Sequence, residues 1–194
     1  MVAPLKFLTI PAAAKHTATV IFAHGLGDTG YGWKAVADMF KGDPSLRHIK
    51  WILPHAPTIP ITANMGMQMP GWFDIYSFGF KGVEDEDGML KTVSTLQTLI
   101  KNEIEENHIT PDRIVLGGFS QGGAMSLLTG LTMKDYKLGG LVALSAWLPI
   151  HQKFESVRRV VLAMLPKLMP CTDVISSREI SSYFRRPWPG RSSD

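Results

Sequence analysis

Apolar positions along the chain fall into short β-branched runs separated by longer stretches with helical spacing. Thr19-Val-Ile-Phe-Ala23 is a short, mostly apolar run that stops at a glycine-rich turn, the pattern of a buried strand. Trp33, Val36, Ala37 and Phe40 follow at helical spacing, and Lys50-Trp-Ile-Leu53 predicts a second strand, stopped by Pro54. Leu90, Val93, Leu96, Ile100 and Ile104 predict an amphipathic helix. The acidic run Glu84-Asp-Glu-Asp87 at its amino end, where the helix dipole favours negative charge, reads as a solvated helix start. Residues 113–119 predict a strand, 121–133 a helix and 140–145 another strand. Between them, residues 54–82 carry Pro54, Pro57, Pro60, Pro70 and several glycines, which predicts a long irregular excursion of the kind that is usually functional. Strands alternating with helices, several of them continuously apolar, imply an α/β fold with a mostly parallel sheet covered on both faces.

Composition agrees with this picture. The chain has 194 residues, 45% hydrophobic, 19% charged and 9% aromatic, enough for one α/β domain and unlike a disordered, coiled-coil or collagen-like chain. One cysteine excludes an intramolecular disulfide framework and fits a reducing compartment. No apolar run reaches the length of a membrane-spanning helix. Pro4, Lys6 and Pro11 break the apolar character of residues 1–14, which predicts an ordinary first strand rather than a secretory leader.

The net charge of +3 is unevenly placed. Residues 156–194 hold seven basic groups against three acidic ones, so they carry +4 and leave −1 for residues 1–155. Helical and strand periodicity also fade near Ser156, and Pro166, Pro170, Pro187 and Pro189 punctuate the remaining residues. The expected organisation is therefore an α/β domain over 1–155, followed by a basic, poorly structured tail over 156–194. Arg158-Arg159 and Arg185-Arg186, without interleaved aromatics or a recognisable binding fold, give no basis for a nucleic-acid partner.

The strongest chemical signal is Gly118-Phe119-Ser120-Gln121-Gly122, a G-x-S-x-G between a predicted strand and a predicted helix. A sharp turn there would lift the Ser120 hydroxyl above the carboxyl end of the sheet, and flanking glycines would let the strand and helix approach. The backbone N–H of Gln121, at a helix amino end, would then face a developing oxyanion. His24-Gly-Leu-Gly-Asp28 follows the strand at 19–23, and His24 is expected to support that loop rather than to act as a base.

Six stretches together resemble the acyl-protein thioesterase and lysophospholipase family of serine carboxylesterases. They are Phe22-Ala-His-Gly-Leu-Gly-Asp-Thr-Gly30, Leu53-Pro-His-Ala-Pro57, Met69-Pro-Gly-Trp-Phe-Asp74, Glu84-Asp-Glu86, Arg113-Ile-Val-Leu-Gly-Gly-Phe-Ser-Gln-Gly-Gly-Ala124 and Ala143-Leu-Ser-Ala-Trp-Leu-Pro149. The resemblance implies an α/β-hydrolase fold lacking its last strand–helix units, with Ser120 as nucleophile. The N–H groups of Leu26 and Gln121 would be the oxyanion donors. It implies S-acylated proteins, lysophospholipids or small esters as substrates, removal of long acyl chains from cysteine thioesters, and neither metal nor cofactor. It also implies a cytoplasmic location, with the nucleus open to it, and allows transient contact with a membrane surface. The apolar, methionine-bearing excursion becomes a candidate acyl channel, with Met65, Met69, Ile75 and Trp147 as lining residues; packing is the alternative role for these side chains.

The family's Gly-Asp-x-Asp-Pro segment and its histidine near the carboxyl terminus have no counterpart here. Of His16, His24, His48, His55, His108 and His151, His151 alone follows Ser120, as the fold's chain order of nucleophile, acid and base requires. Asp173 follows an apolar run, but Cys171-Thr-Asp-Val174 lacks the motif's glycine and proline. His151 and Asp173 are thus the candidates left for base and acid. The change near Ser156 is expected to mark a retained intron, a frameshift or an alternative exon, with loss of useful hydrolysis and an open apolar strand edge at 140–145 as consequences.

Overall fold

The computed structural model describes residues 5–77 and 82–150. All lie in the first of the two units into which the chain divides, Met1–Arg158; the second, Arg159–Asp194, is outside the described residues. Parallel strands β2 (Ala18–Ala23), β3 (Ile49–Pro54), β6 (Ile114–Phe119) and β7 (Gly140–Leu144) form the body of a sheet. With β1 (Phe7–Ile10) the order is β1-β3-β2-β6-β7, and β1 pairs antiparallel to β3 at the edge. Ile21 sits opposite Ile52 on one side and Leu116 on the other, and all three are buried, which is why β2 reads as an uninterrupted apolar run.

Among the described residues three α-helices accompany the sheet: α1 (Lys34–Gly42), α2 (Glu86–Glu105) and α3 (Gln121–Thr132). Helix α3 packs on β6 and β7, α2 packs on α3, and α1 lies against β1 and β3. The buried stripe of α2 is Met89, Val93, Leu96 and Ile100, whereas Leu90 is 48% exposed. Met89 occupies the place expected of Leu90 because it falls one turn before Val93 on the face that meets the core.

Two sequence expectations change here. The acidic run is not simply a solvated helix start. Asp85 caps α2 by accepting the Gly88 N–H at 3.0 Å and also accepts the Asp74 N–H at 2.8 Å, while Glu84 accepts the Ile150 N–H at 2.7 Å. The excursion at 54–82 is partly regular: β4 (Thr58–Ile61) and β5 (Met67–Pro70) form an antiparallel hairpin. Pro60 is tolerated opposite Gln68 because a two-stranded ribbon leaves each strand an outer edge that needs no ladder donor.

The amino end of the sheet is closed by a buried ionic cluster. Glu103 accepts hydrogen bonds from the Thr19 hydroxyl at 2.7 Å, Lys50 Nζ at 2.5 Å and Asn107 Nδ2 at 3.1 Å. The Thr19 hydroxyl, having donated to Glu103, accepts from His16 Nε2 at 2.9 Å. Every charge there has a partner, so this end is a structural lock.

Candidate active site

Ser120 joins β6 to α3 with φ 50° and ψ −118°, a backbone conformation that costs a non-glycine residue about 1–3 kcal/mol. The turn is pinned from both sides: the Ser120 N–H donates to the Leu144 carbonyl at 2.9 Å, and its carbonyl accepts the Ala124 N–H at 2.9 Å. Gly118 and Gly122 make the turn possible. A methyl group at Gly122 would collide with the carbonyl oxygens of Ala23 and His24, and one at Gly118 with the Gly122 backbone. The G-x-S-x-G pattern therefore records a close crossing between the elbow and the end of β2.

The loop after β2 lies beside the same serine. A Cβ placed on Gly25 would sit 3.5 Å from Ser120 Cβ and 3.1 Å from the Phe119 ring. His24 is fully buried, with Nδ1 2.7 Å from the Gly25 carbonyl and Nε2 3.1 Å from the Ala56 N–H. The second contact makes Nε2 the acceptor and Nδ1–H the donor, so both ring nitrogens are occupied. Burial lowers the His24 pKa below its ordinary value and keeps the ring neutral. His24 thus braces the loop, as the sequence predicts. Gly27 has φ 78° and its N–H donates to the Pro70 carbonyl at 2.8 Å, while Asp28 N–H turns back to Gly25 at 3.2 Å. Among the described residues, the Leu26 and Gln121 N–H groups have no acceptor.

A strap of the excursion, residues 70–75, is fastened across this corner by contacts that no sequence pattern announces. The Gln121 carboxamide is fully buried; its Oε1 accepts the Trp72 N–H at 2.9 Å and its Nε2 donates to the Phe73 carbonyl at 2.7 Å. The Trp72 indole N–H donates to the His24 carbonyl at 2.8 Å, and the Thr92 hydroxyl of α2 donates to the Trp72 carbonyl. Asp74 accepts the Thr62 N–H at 2.7 Å and the Thr62 hydroxyl at 2.5 Å, tying the strap to the hairpin. The Trp-Phe pair and the Gln after Ser120 stand in the sequence as motif letters, with nothing to show that they bond to one another.

The channel candidates separate into two groups. Ile75 and Trp147 line one opening together with Phe73, Met89, Tyr76 and Glu84, and the rings of Phe73 and Trp147 meet edge to face at 6.1 Å. The charge of Asp85 is the main cause of a raised Tyr76 pKa at this mouth. Met69 packs against the core, its sulfur 4.0 Å from a Cβ placed on Gly27. Met65 stands at the hairpin tip, 93% exposed and with φ 53°, and is not among the residues lining the opening. His151 and Asp173 lie outside the described residues. Among the described residues, no three His, Cys, Asp or Glu side chains gather to hold a metal, and no helix is long and apolar enough to cross a membrane.

Comparison with known proteins agrees with this geometry. The profile of the Phospholipase/Carboxylesterase family matches residues 6–178, running past residue 155. Acyl-protein thioesterase 1 of Gibberella zeae is 52% identical over 161 residues, 80% of this chain and 66% of that protein. The Neurospora crassa protein of the same name is 52% identical over 77% of this chain and 62% of its own length. The chain thus spans a little under two thirds of these relatives. Among solved structures, Arabidopsis thaliana SOBER1 superposes with a TM-score of 0.64 at 34% identity, covering 69% of this chain and 63% of that one. Zea mays acyl-protein thioesterase 2 gives 0.65 at 28% identity, covering 76% and 64%. A serine held at a strained elbow, a bracing histidine loop and these matches agree: the chain belongs to the phospholipase/carboxylesterase family and has the α/β-hydrolase fold.

Proposed function

We propose that this chain carries the nucleophile and oxyanion half of a serine hydrolase of the acyl-protein thioesterase kind. Its substrates would be long acyl chains on S-acylated cysteines, with lysophospholipids and small esters as related ones. The single observation that carries the reading is the Ser120 backbone at φ 50°, a strained turn between β6 and α3 beside the Gly25 loop. The relatives named acyl-protein thioesterase 1 support the substrate class.

In this reading the Ser120 oxygen adds to the thioester carbonyl, and the Leu26 and Gln121 N–H groups receive the negative oxygen. Collapse of the adduct breaks the carbon–sulfur bond, leaving an acyl-serine and a cysteine thiol; water then releases the fatty acid. The serine proton needs a base; the family's acid and base segments have no counterpart in the sequence, and His151 and Asp173 are only the candidates left for that relay.

A second reading is a catalytically inert chain that still binds lipidated partners. The observation favouring it is that His24, which braces the loop beside Ser120, has both ring nitrogens engaged and so cannot serve as that base. Without a histidine, a triad enzyme keeps about 10³–10⁴ of its advantage over water and loses about 10⁶ in turnover. An alkyl fluorophosphonate probe separates the two. Labelling that disappears in Ser120→Ala is expected for a live site, and absence of labelling in the unaltered chain overturns the first reading.

A further inference from the structure

Gln121 is joined to two parts of the site at once. Its main chain follows Ser120 in the elbow, and its carboxamide is hydrogen-bonded at both ends to the strap, at Trp72 N–H and Phe73 C=O. A carboxamide offers the same donor and acceptor pair as a peptide unit, so it docks the strap as a neighbouring strand would. All three residues are buried, so removing the amide would leave one donor and one acceptor without water or partner.

The other fastenings of the strap lead elsewhere. The Trp72 indole holds it to the loop after β2, the Thr92 hydroxyl holds it to α2, and Asp85 accepts from its far end at Asp74. Only the Gln121 amide, among the described fastenings, runs from the strap to the elbow itself. Phe73 then turns directly into the opening it lines with Ile75 and Trp147. The Gln121 amide is therefore the direct link, among the described fastenings, between the elbow and the strap that carries Phe73 into that opening.

We infer that the Gln121 side chain is a positioning residue that fixes the strap against the elbow and so determines which acyl-chain length fits between Ser120 and the opening lined by Phe73, Ile75 and Trp147. This rests on reading that opening as the acyl site, but not on Ser120 being reactive. A buried methylene is worth about fourfold in affinity, so a fixed wall produces a steep rise with chain length that levels off where the space ends.

The test uses the full chain and the sodium salts of butyrate, octanoate and dodecanoate, with dissociation constants read from tryptophan fluorescence. In the unaltered chain and in Ser120→Ala, affinity should rise with length and then level at the same point. Gln121→Met keeps the volume but has neither amide donor nor amide acceptor, and should reduce the ratio between the extreme dissociation constants at least tenfold. Thr92→Val releases the strap from α2 alone and should lower Tm while keeping that ratio. Should Gln121→Met fail to fold, Gln121→Glu, which keeps the acceptor for Trp72 N–H but sets an oxygen against the Phe73 carbonyl, should give the same loss. An unchanged ratio in a folded Gln121 variant, an equal loss in Thr92→Val, or no fatty-acid binding by the unaltered chain would overturn the inference. Failure of the fluorophosphonate to label Ser120 while the length dependence persists counts against the catalytic reading and leaves this inference supported.

Discussion

The two ends of the sheet both bury polar side chains, and they do so with opposite chemistry. At the amino end a charged pair, Lys50 and Glu103, is joined by Thr19, His16 and Asn107 until each charge has a partner. At the carboxyl end the buried groups are neutral: His24, Gln121, Trp72 and Thr92, bonded mostly to backbone. There the elbow is strained, and the Leu26 and Gln121 amides have no acceptor among the described residues. A saturated ion cluster stabilises position and has no capacity left for a ligand. A neutral, rigid corner with two spare donors can receive negative charge that forms during a reaction.

The largest effect expected from breaking this contrast is at the amino end. Glu103→Ala strands a part-buried Lys50 and the buried Thr19 hydroxyl and should cost about 3 kcal/mol in urea unfolding. Ser120 labelling of the folded fraction should be unchanged, and a loss below about 1 kcal/mol would show that this cluster is no lock. Asp85→Ala, which removes the α2 cap and the acceptor for Asp74 N–H, should cost about 2 kcal/mol. An unaltered urea midpoint would remove Asp85 from the account of the strap.

A third effect comes from pH. His24 and His16 both have pKa values lowered from 6.5, with burial the first cause in each. The unfolded chain therefore takes up protons that the folded chain refuses, so stability is full above about pH 6.5 and declines as pH falls below it, by up to about 1.4 kcal/mol per unit for each group. Urea midpoints at about pH 7.5 and 5.5 measure this decline, and His24→Asn should lessen it. The smallest effect has the opposite sign. Ser120→Gly relieves the elbow and should raise stability by about 1 kcal/mol while abolishing probe labelling. A lower Tm in that variant would mean that the turn stores no strain.

Much of the frame is legible in the sequence. The runs at 19–23, 50–53 and 113–119 coincide with β2, β3 and β6 to within one or two residues, because a strand buried on both faces must be apolar at nearly every position. The hairpin β4–β5 is not legible, because Pro60 and the surrounding glycines weaken any strand pattern, and Asp74, which fastens Thr62 at its end, stands twelve positions away. Leu90 and Met89 show the same limit on a helix, where spacing defines a stripe but the neighbouring core decides its edge.

The sequence by itself determined the parallel α/β frame, the elbow at Ser120 and the bracing role of His24. Each comes from local requirements: apolar period, glycines where backbones cross, and a turn between strand and helix. Only the tertiary structure decided that Gln121 holds Trp72 and Phe73, that Asp85 serves both α2 and the strap, and that Ile75 and Trp147 share an opening which Met65 does not line. The links from Gln121 to the strap, from Asp85 to Asp74 and between Ile75 and Trp147 join residues 11 to 72 positions apart through hydrogen bonds and packing, and neither periodicity nor motif spacing carries information about such partners.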